Sequence, residues 1–333
     1  MKEKIFILLI FILGFFGANK IVLGQEINLE YDYKKDQEFK LVVRTQQLIE
    51  QDLGGFTQNI QNLIDSEILF KVVEVNGDSA KLEVAYKRLY FSMDGPMGEG
   101  MVMSSDGDKS DPINMIVRSM VNNPFYVILN KSGRILSVEG MEEVLGKINE
   151  TLELIDDDIK ESIQASIDNQ FGEESFKSSF MTGLIVYPNY PLKIGETWST
   201  TTMDYSTVPL EMNTTWTLGN VRRRVATLEG SATLKSKDTV KNNAKNTDAK
   251  STKSKGSKST NEKEVIVKKE NNNIGMTGTN IINATINLST GWLQESTQTS
   301  EISGIMVLPP DKYFSESVEI PLKIKTVTRT VLK

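Results

Sequence analysis

Along much of this chain, apolar and polar residues alternate one for one. The C-terminal VEIPLKIKTVTRTVLK sets Val318, Ile320, Leu322 and Ile324 on one side and Glu319, Lys323 and Lys325 on the other. That is the two-residue period of a strand with one dry and one wet face. Glu38 to Val75 reads as two long strands with Gly54-Gly55 as the turn between them,. KVVEVNGDSAKLEVAYKRLYF predicts a second hairpin across Asn76-Gly77, because Asn-Gly suits the positive φ angles of tight hairpin turns. NNPFYVILNKSGRILSVEG, Asn122 to Gly140, predicts another, cornered at Gly133. Hairpin after hairpin implies an antiparallel sheet.

The period changes only in the middle of the chain. Asp111-Pro112 reads as an N-cap with proline at the first helical position, opening INMIVRSMV,. After Gly140, Ile148, Leu152, Ile155, Ile159, Ile163 and Ile167 recur at steps of three and four, and Phe176, Phe180 and Leu184 continue beyond Gly172,. Each stripe needs a sheet face to cover. The expected fold is α+β: a large, curved antiparallel sheet, open like a half-barrel, with helices packed on one face.

Three segments have echoes in the same order. KKDQEFKLVV resembles LKIGETWSTT from Leu192, VEVNGDSAKLEVAY resembles TLGNVRRRVATLEGSATL from Thr217, and VILNKSGRILSV from Val127 resembles TINLSTGWLQES from Thr285. In the last pair Gly133 falls on Gly291. The echoes suggest duplicated halves, 25–190 and 191–333, within one domain spanning 25–333. The plainer alternative is that any antiparallel protein yields such hairpins.

Composition and charge refine this picture. The opening MKEKIFILLIFILGFFGANKIVLGQE has a basic start at Lys2 and Lys4, an apolar run from Ile5 to Phe16, and small-residue positions at Val22 and Gly24. It reads as a signal peptide over 1–24, since its apolar run is well short of the roughly 20 residues a spanning helix needs. The expectation is an exported protein, periplasmic or extracellular, with no later membrane span. There is no cysteine, so neither disulfides nor a lipid-modified N-terminus is expected. The net charge is -6. Residues 237–263 oppose it with eight lysines against Asp238, Asp248 and Glu262; this Lys/Ser/Thr-rich stretch predicts a disordered, solvated loop. The remaining chain is acidic, which argues against nucleic acid as a partner.

Candidate chemistry is sparse. With no histidine and no cysteine, Ser-His and Cys-His nucleophiles, the usual zinc sites and cysteine redox fall away. GPMGEG, Gly95 to Gly100, lacks both the dinucleotide fingerprint and the Lys-Ser/Thr of a P-loop. Glu142, Glu143, Asp156 to Asp158, Glu173 and Glu174 stand at helix starts or on polar helix faces, where solvation or dipole compensation is the ordinary role,. Neither an enzyme nor a cofactor is expected. Asp106, Asp108 and Asp111 of SSDGDKSDP form a weak Ca²⁺ candidate without the glycine and distal glutamate of the calcium loop,; the alternative is a polar loop capping the next helix. Met93, Met97, Met101, Met103, Met115 and Met120 supply adaptable apolar surface, either plain core or the wall of a greasy cavity,.

DQEFKLVV, the run DPINMIVRSMVNNPFYVILNKSGRILSVEG, YPNYPLKIGETW and STGWLQEST together resemble a family of exported Bacteroidota proteins of unknown function. That resemblance covers nearly all of the chain after its N-terminal segment and implies no activity and no catalytic residues. The architecture looks like the periplasmic lipoprotein-carrier half-barrels, a likeness of fold that transfers no function. The expected function is a non-catalytic binding protein holding a lipid or other hydrophobic ligand between sheet and helices. Phe70, Met101, Met115, Ile116, Ile155 and Phe180 are its candidate contacts. The alternative is an envelope scaffold that meets another protein and binds no small molecule.

Overall fold

The computed structural model describes residues 26–95, 100–154, 160, 184–204, 209–236, 273–308 and 316–333. The elements run β1 (Glu38–Asp52), β2 (Thr57–Asn76), β3 (Ser79–Asp94), β4 (Met101–Ser104), α1 (Pro112–Met120), β5 (Phe125–Asn130), β6 (Ile135–Glu139) and α2 (Met141–Leu152). They continue with β7 (Thr197–Asp204), β8 (Leu210–Arg222), β9 (Val225–Ser236), β10 (Asn273–Asn287), β11 (Leu293–Leu308) and β12 (Val318–Leu332). All twelve strands join one antiparallel sheet in the order β6-β5-β3-β2-β1-β12-β11-β10-β9-β8-β7, with β4 beside β3. The first and last strands meet at its centre, Ile49 opposite Ile324. The edge strands β6 and β7 do not pair, so the sheet is open. The alternation seen in the sequence is its cause: β9 buries Ala226, Leu228, Gly230, Ala232 and Leu234 while the residues between them are exposed.

The two faces differ chemically. The outer face carries cross-strand ion pairs, among them Arg44–Asp65 at 2.9 Å, Lys71–Glu38 at 3.2 Å and Lys325–Glu301 at 3.3 Å. Such exposed pairs contribute about 0–1 kcal/mol each; they keep the wet face soluble and help fix register. The inner face receives the helices. Asp111 caps α1 by accepting from the Ile113 amide, and α1 buries Ile116, Val117 and Met120. Gly140, with φ of 78°, starts α2, which buries Met141, Val144, Ile148 and Leu152. Between these helices and the sheet residues Tyr86 and Phe125 the cavity is about 10 Å³, near the minimum for a single water. The predicted continuation of the helical stripe through Ile155 to Phe180, and the lysine-rich stretch 237–263, lie outside the described residues.

The main core lies toward one end of the strands. Residues 27–33 enter it as an extended plug: the Tyr31 amide donates to Lys131 O and the Asp32 amide to Thr290 O, so the plug ties both hairpin corners. Tyr31 packs edge-on against Trp292, with centroids 4.8 Å apart, and Phe39 lies 4.0 Å from Trp292. Burial pushes the Tyr31, Tyr33 and Tyr187 hydroxyls well above the ordinary phenol range,.

The same local plan recurs in the two stretches that echo each other. Asp36 N donates to Val72 O, Val72 N to Gln37 O, and Gln37 N to Lys34 O. Gly195 N donates to Leu218 O, Leu218 N to Glu196 O, and Glu196 N to Lys193 O in the same sequence of bonds. Stacked rings follow in both: Phe39 on Phe70 at 5.3 Å and Trp198 on Trp216 at 5.9 Å. The corners correspond as well, though not in the frame the sequence suggests. Asn130 Oδ1 accepts from the Ser132 amide, and Asn287 Oδ1 from the Ser289 amide. Asparagine therefore matches asparagine, and the second corner holds one residue more: Asn130 N reaches Arg134 O, whereas Asn287 N reaches Trp292 O. Laying Gly133 on Gly291 slips by one, because the asparagine side chain organises the turn.

Candidate binding surface on the inner face of the sheet

Strand register turns inward-pointing residues into rows that cross the sheet. One row reads Met101, Met93, Asn62, Gln47, Thr326, Ser300, Asn280, Ala232, Thr214, Thr200, each opposite the next on the neighbouring strand. From Asn62 to Thr200 every member except Ala232 is polar, and none is charged. The adjacent row reads Ile60, Ile49, Ile324, Ile302, Gly278, Leu234, Met212, Thr202. Ile302, Ile324 and Leu234 of this row join Leu210, Met276 and Leu322 in a second apolar cluster, separate from the main core.

The polar row is partly bonded to itself. Asn62 Nδ2 donates to Gln47 Oε1 at 2.9 Å, Gln47 Nε2 to Thr326 Oγ1 at 3.4 Å, and Asn280 Nδ2 to Gln298 Oε1 at 3.4 Å. Trp216 Nε1 donates to Thr200 Oγ1 at 3.1 Å. Several buried atoms have no hydrogen-bond partner: Asn62 Oδ1 and Asn280 Oδ1 in the row, and Ser296 Oγ and Thr330 Oγ1, which face each other four residues along the strands, toward the main core. Asn280, Ser296 and Thr330 are 5%, 6% and 0% exposed. A buried acceptor left unbonded costs about 1–3 kcal/mol, so each of these calls for a reason. At the β2–β3 side the inner face opens to solvent, where Ile64 and Met93 are 39% and 36% exposed.

The candidate contacts from the sequence are not brought into one site. Phe70 stacks in the aromatic core. Met101 lies in the row of Met93 and Asn62, eight residues away along β2 and hence about 26 Å from Phe70 at the rise of a strand,. Ile116 is buried and Met115 half-buried on α1; Ile155 and Phe180 lie outside the described residues. The three aspartates of the weak Ca²⁺ candidate each have protein partners. Asp106 accepts from Arg88, Asp108 from Ser110, and Asp111 from Ile113 and Asn114. Among the described residues no group of three or more acidic side chains converges on a metal position. Turn and cap bonds hold Asp108 and Asp111, and an ion pair holds Asp106. The polar row escaped the sequence reading, although β12 announces it: its buried-side positions change from Ile320, Leu322 and Ile324 to Thr326, Thr328 and Thr330.

Fold and surface together define an open antiparallel half-barrel with an amphiphilic inner lining. The chain belongs to DUF6263, a family of unknown function whose profile matches residues 77–293. No curated protein sequence matches it. Among solved structures, one of lipovitellin concerned with lipid–protein interactions is similar at 12% identity and a TM-score of 0.41, over 91% of this chain and 25% of that one. This chain thus spans a quarter of the lipovitellin chain. OccK5 (OpdH) of Pseudomonas aeruginosa is similar at 8% identity and a TM-score of 0.20, over 89% of this chain and 98% of that one. Among the described residues no helix is long and apolar enough to cross a membrane.

Proposed function

We propose that the chain is a non-catalytic, exported binding protein that holds a lipid or other hydrophobic ligand against the inner face of its sheet. The observation carrying this reading is the second apolar cluster, with Leu234, Met276, Ile302, Leu322 and Ile324 at its centre. It stands apart from the main core, on a face that is open beside Ile64 and Met93. A fold needs one core; a second apolar cluster, its members at most 5% exposed, supplies the apolar lining that a ligand site needs. The ligand position moves accordingly, from beneath α1 and α2 to the strands β1, β2 and β8–β12.

The scaffold alternative draws on the near-solid packing under α1 and α2 and on the open edge of β7, which a partner strand could extend. Native mass spectrometry after gentle purification separates the two. Binding predicts co-purified species of lipid mass that disappear in an Ile302→Glu variant; a clean apo mass from repeated preparations would leave the scaffold reading.

A further inference from the structure

We propose that the polar row from Asn62 to Thr200 recognises the uncharged, hydrogen-bonding head of an amphiphile whose apolar tail lies on the neighbouring isoleucine row. This rests on the ligand-binding reading above and specifies its chemistry. Three observations carry it. First, the two rows are adjacent, one polar and one apolar over the same strands, so a molecule with a head and a tail satisfies both at once. Second, the polar row contains asparagine, glutamine, threonine and serine and no ionisable group. These side chains both donate and accept, which suits hydroxyl and amide groups. An anionic head would be desolvated there without a countercharge, at substantial cost; the lysines and arginines of these strands stand on the outer face, as Arg44, Lys323, Lys325 and Arg329 do. Third, within the row Asn280, more than nine-tenths buried, and half-buried Asn62 each hold a side-chain oxygen without a partner, beside the hydroxyls of Thr326, Ser300, Thr214 and Thr200. These acceptors and hydroxyls match a hydroxyl-rich head, of sugar type, better than a zwitterion or a phosphate.

Trp216 bonds to Thr200 at one end of the row, so its share of the tryptophan fluorescence, taken as the difference from a Trp216→Phe variant, reports on it. The test compares dodecyl maltoside, dodecyl phosphate and free maltose, each below micelle formation, on the wild-type chain and on an Asn62→Leu/Asn280→Leu double variant. Dodecyl maltoside is expected to bind at least about tenfold more tightly than dodecyl phosphate, the effect of one or two buried polar groups gaining partners. The double variant is expected to lose that preference while still binding dodecyl phosphate; it removes two unbonded acceptors but also the donors to Gln47 and Gln298, so its melting temperature is measured alongside as the control for folding. Thr326→Val, a smaller change in the same row, is expected to reduce the preference in the same direction and serves if the double variant does not fold. Equal binding of the two amphiphiles overturns the head-group assignment and leaves the apolar seat standing. Binding of neither overturns both. Free maltose binding as tightly as dodecyl maltoside would show that a sugar alone is the ligand and reject the amphiphile.

Discussion

Gly291 sits where one hairpin corner meets the N-terminal plug. Its φ is 71°, and a Cβ placed on it would stand 2.0 Å from the Glu30 carbonyl oxygen. The obstacle is backbone, which cannot swing aside, and the left-handed conformation disfavours a side chain in any case. Gly291→Ala is expected to lower the stability to denaturant by roughly 1–3 kcal/mol or to prevent folding. Gly146, inside α2 with open space around it, behaves oppositely: Gly146→Ala should raise stability by about 0.5–1 kcal/mol through helix propensity and a less free unfolded chain. The buried tyrosines set a pH limit. Tyr31, Tyr33 and Tyr187 have folded pKa values above their unfolded value because burial disfavours the phenolate. Below about pH 10 both states keep the proton, so pH has no effect through these groups; above it only the unfolded chain ionises, and stability falls as pH rises. Unfolding midpoints measured across this range should drop, and tyrosinate absorbance from these residues should appear together with unfolding.

At the scale of elements, the loop before α1, weighed as a calcium site, serves as a joint. Asp111 caps the helix, and Asn114 Oδ1 accepts the Ser104 amide at 2.7 Å, tying α1 to β4. Asp111→Ala should therefore cost about 0.5–2 kcal/mol. Calcium added to the wild-type chain should leave its melting temperature unchanged; a rise would restore a metal role for Asp106 and Asp108. The strands behaved as their sequences suggest wherever periodicity was strong. Both hairpins around β2, the proline-led start of α1 and the Asn130 corner were legible locally, because turns and caps depend on neighbouring residues. The one-residue offset between the corners at Asn130 and Asn287 was not legible, since it depends on which backbone carbonyls the turn must reach.

At the scale of the molecule, closure of the chain upon itself is decisive. β12 lies between β1 and β11, so the last strand is the seam joining the early strands to the late ones. Removing 318–333 would leave both neighbours with unpaired edges, and buried backbone groups without partners are costly. Such a truncation is expected to abolish cooperative unfolding and to drive aggregation, read by calorimetry and size-exclusion chromatography.

The sequence by itself determined the class of architecture. Its two-residue alternation demanded an antiparallel sheet with one dry face, its brief three-to-four periodicity placed helices in the middle, and its lack of histidine and cysteine removed whole classes of chemistry. Only the tertiary structure decided what the inner face presents. Asn62, Gln47, Thr326, Ser300 and Asn280 come from strands scattered along most of the chain, and register alone brings them into one row. Phe70 and Met101, grouped on hydrophobicity, were separated by the same register. Alternation tells a residue which face it occupies; pairing between strands distant in sequence tells it which neighbours it has, and a binding surface is made of neighbours.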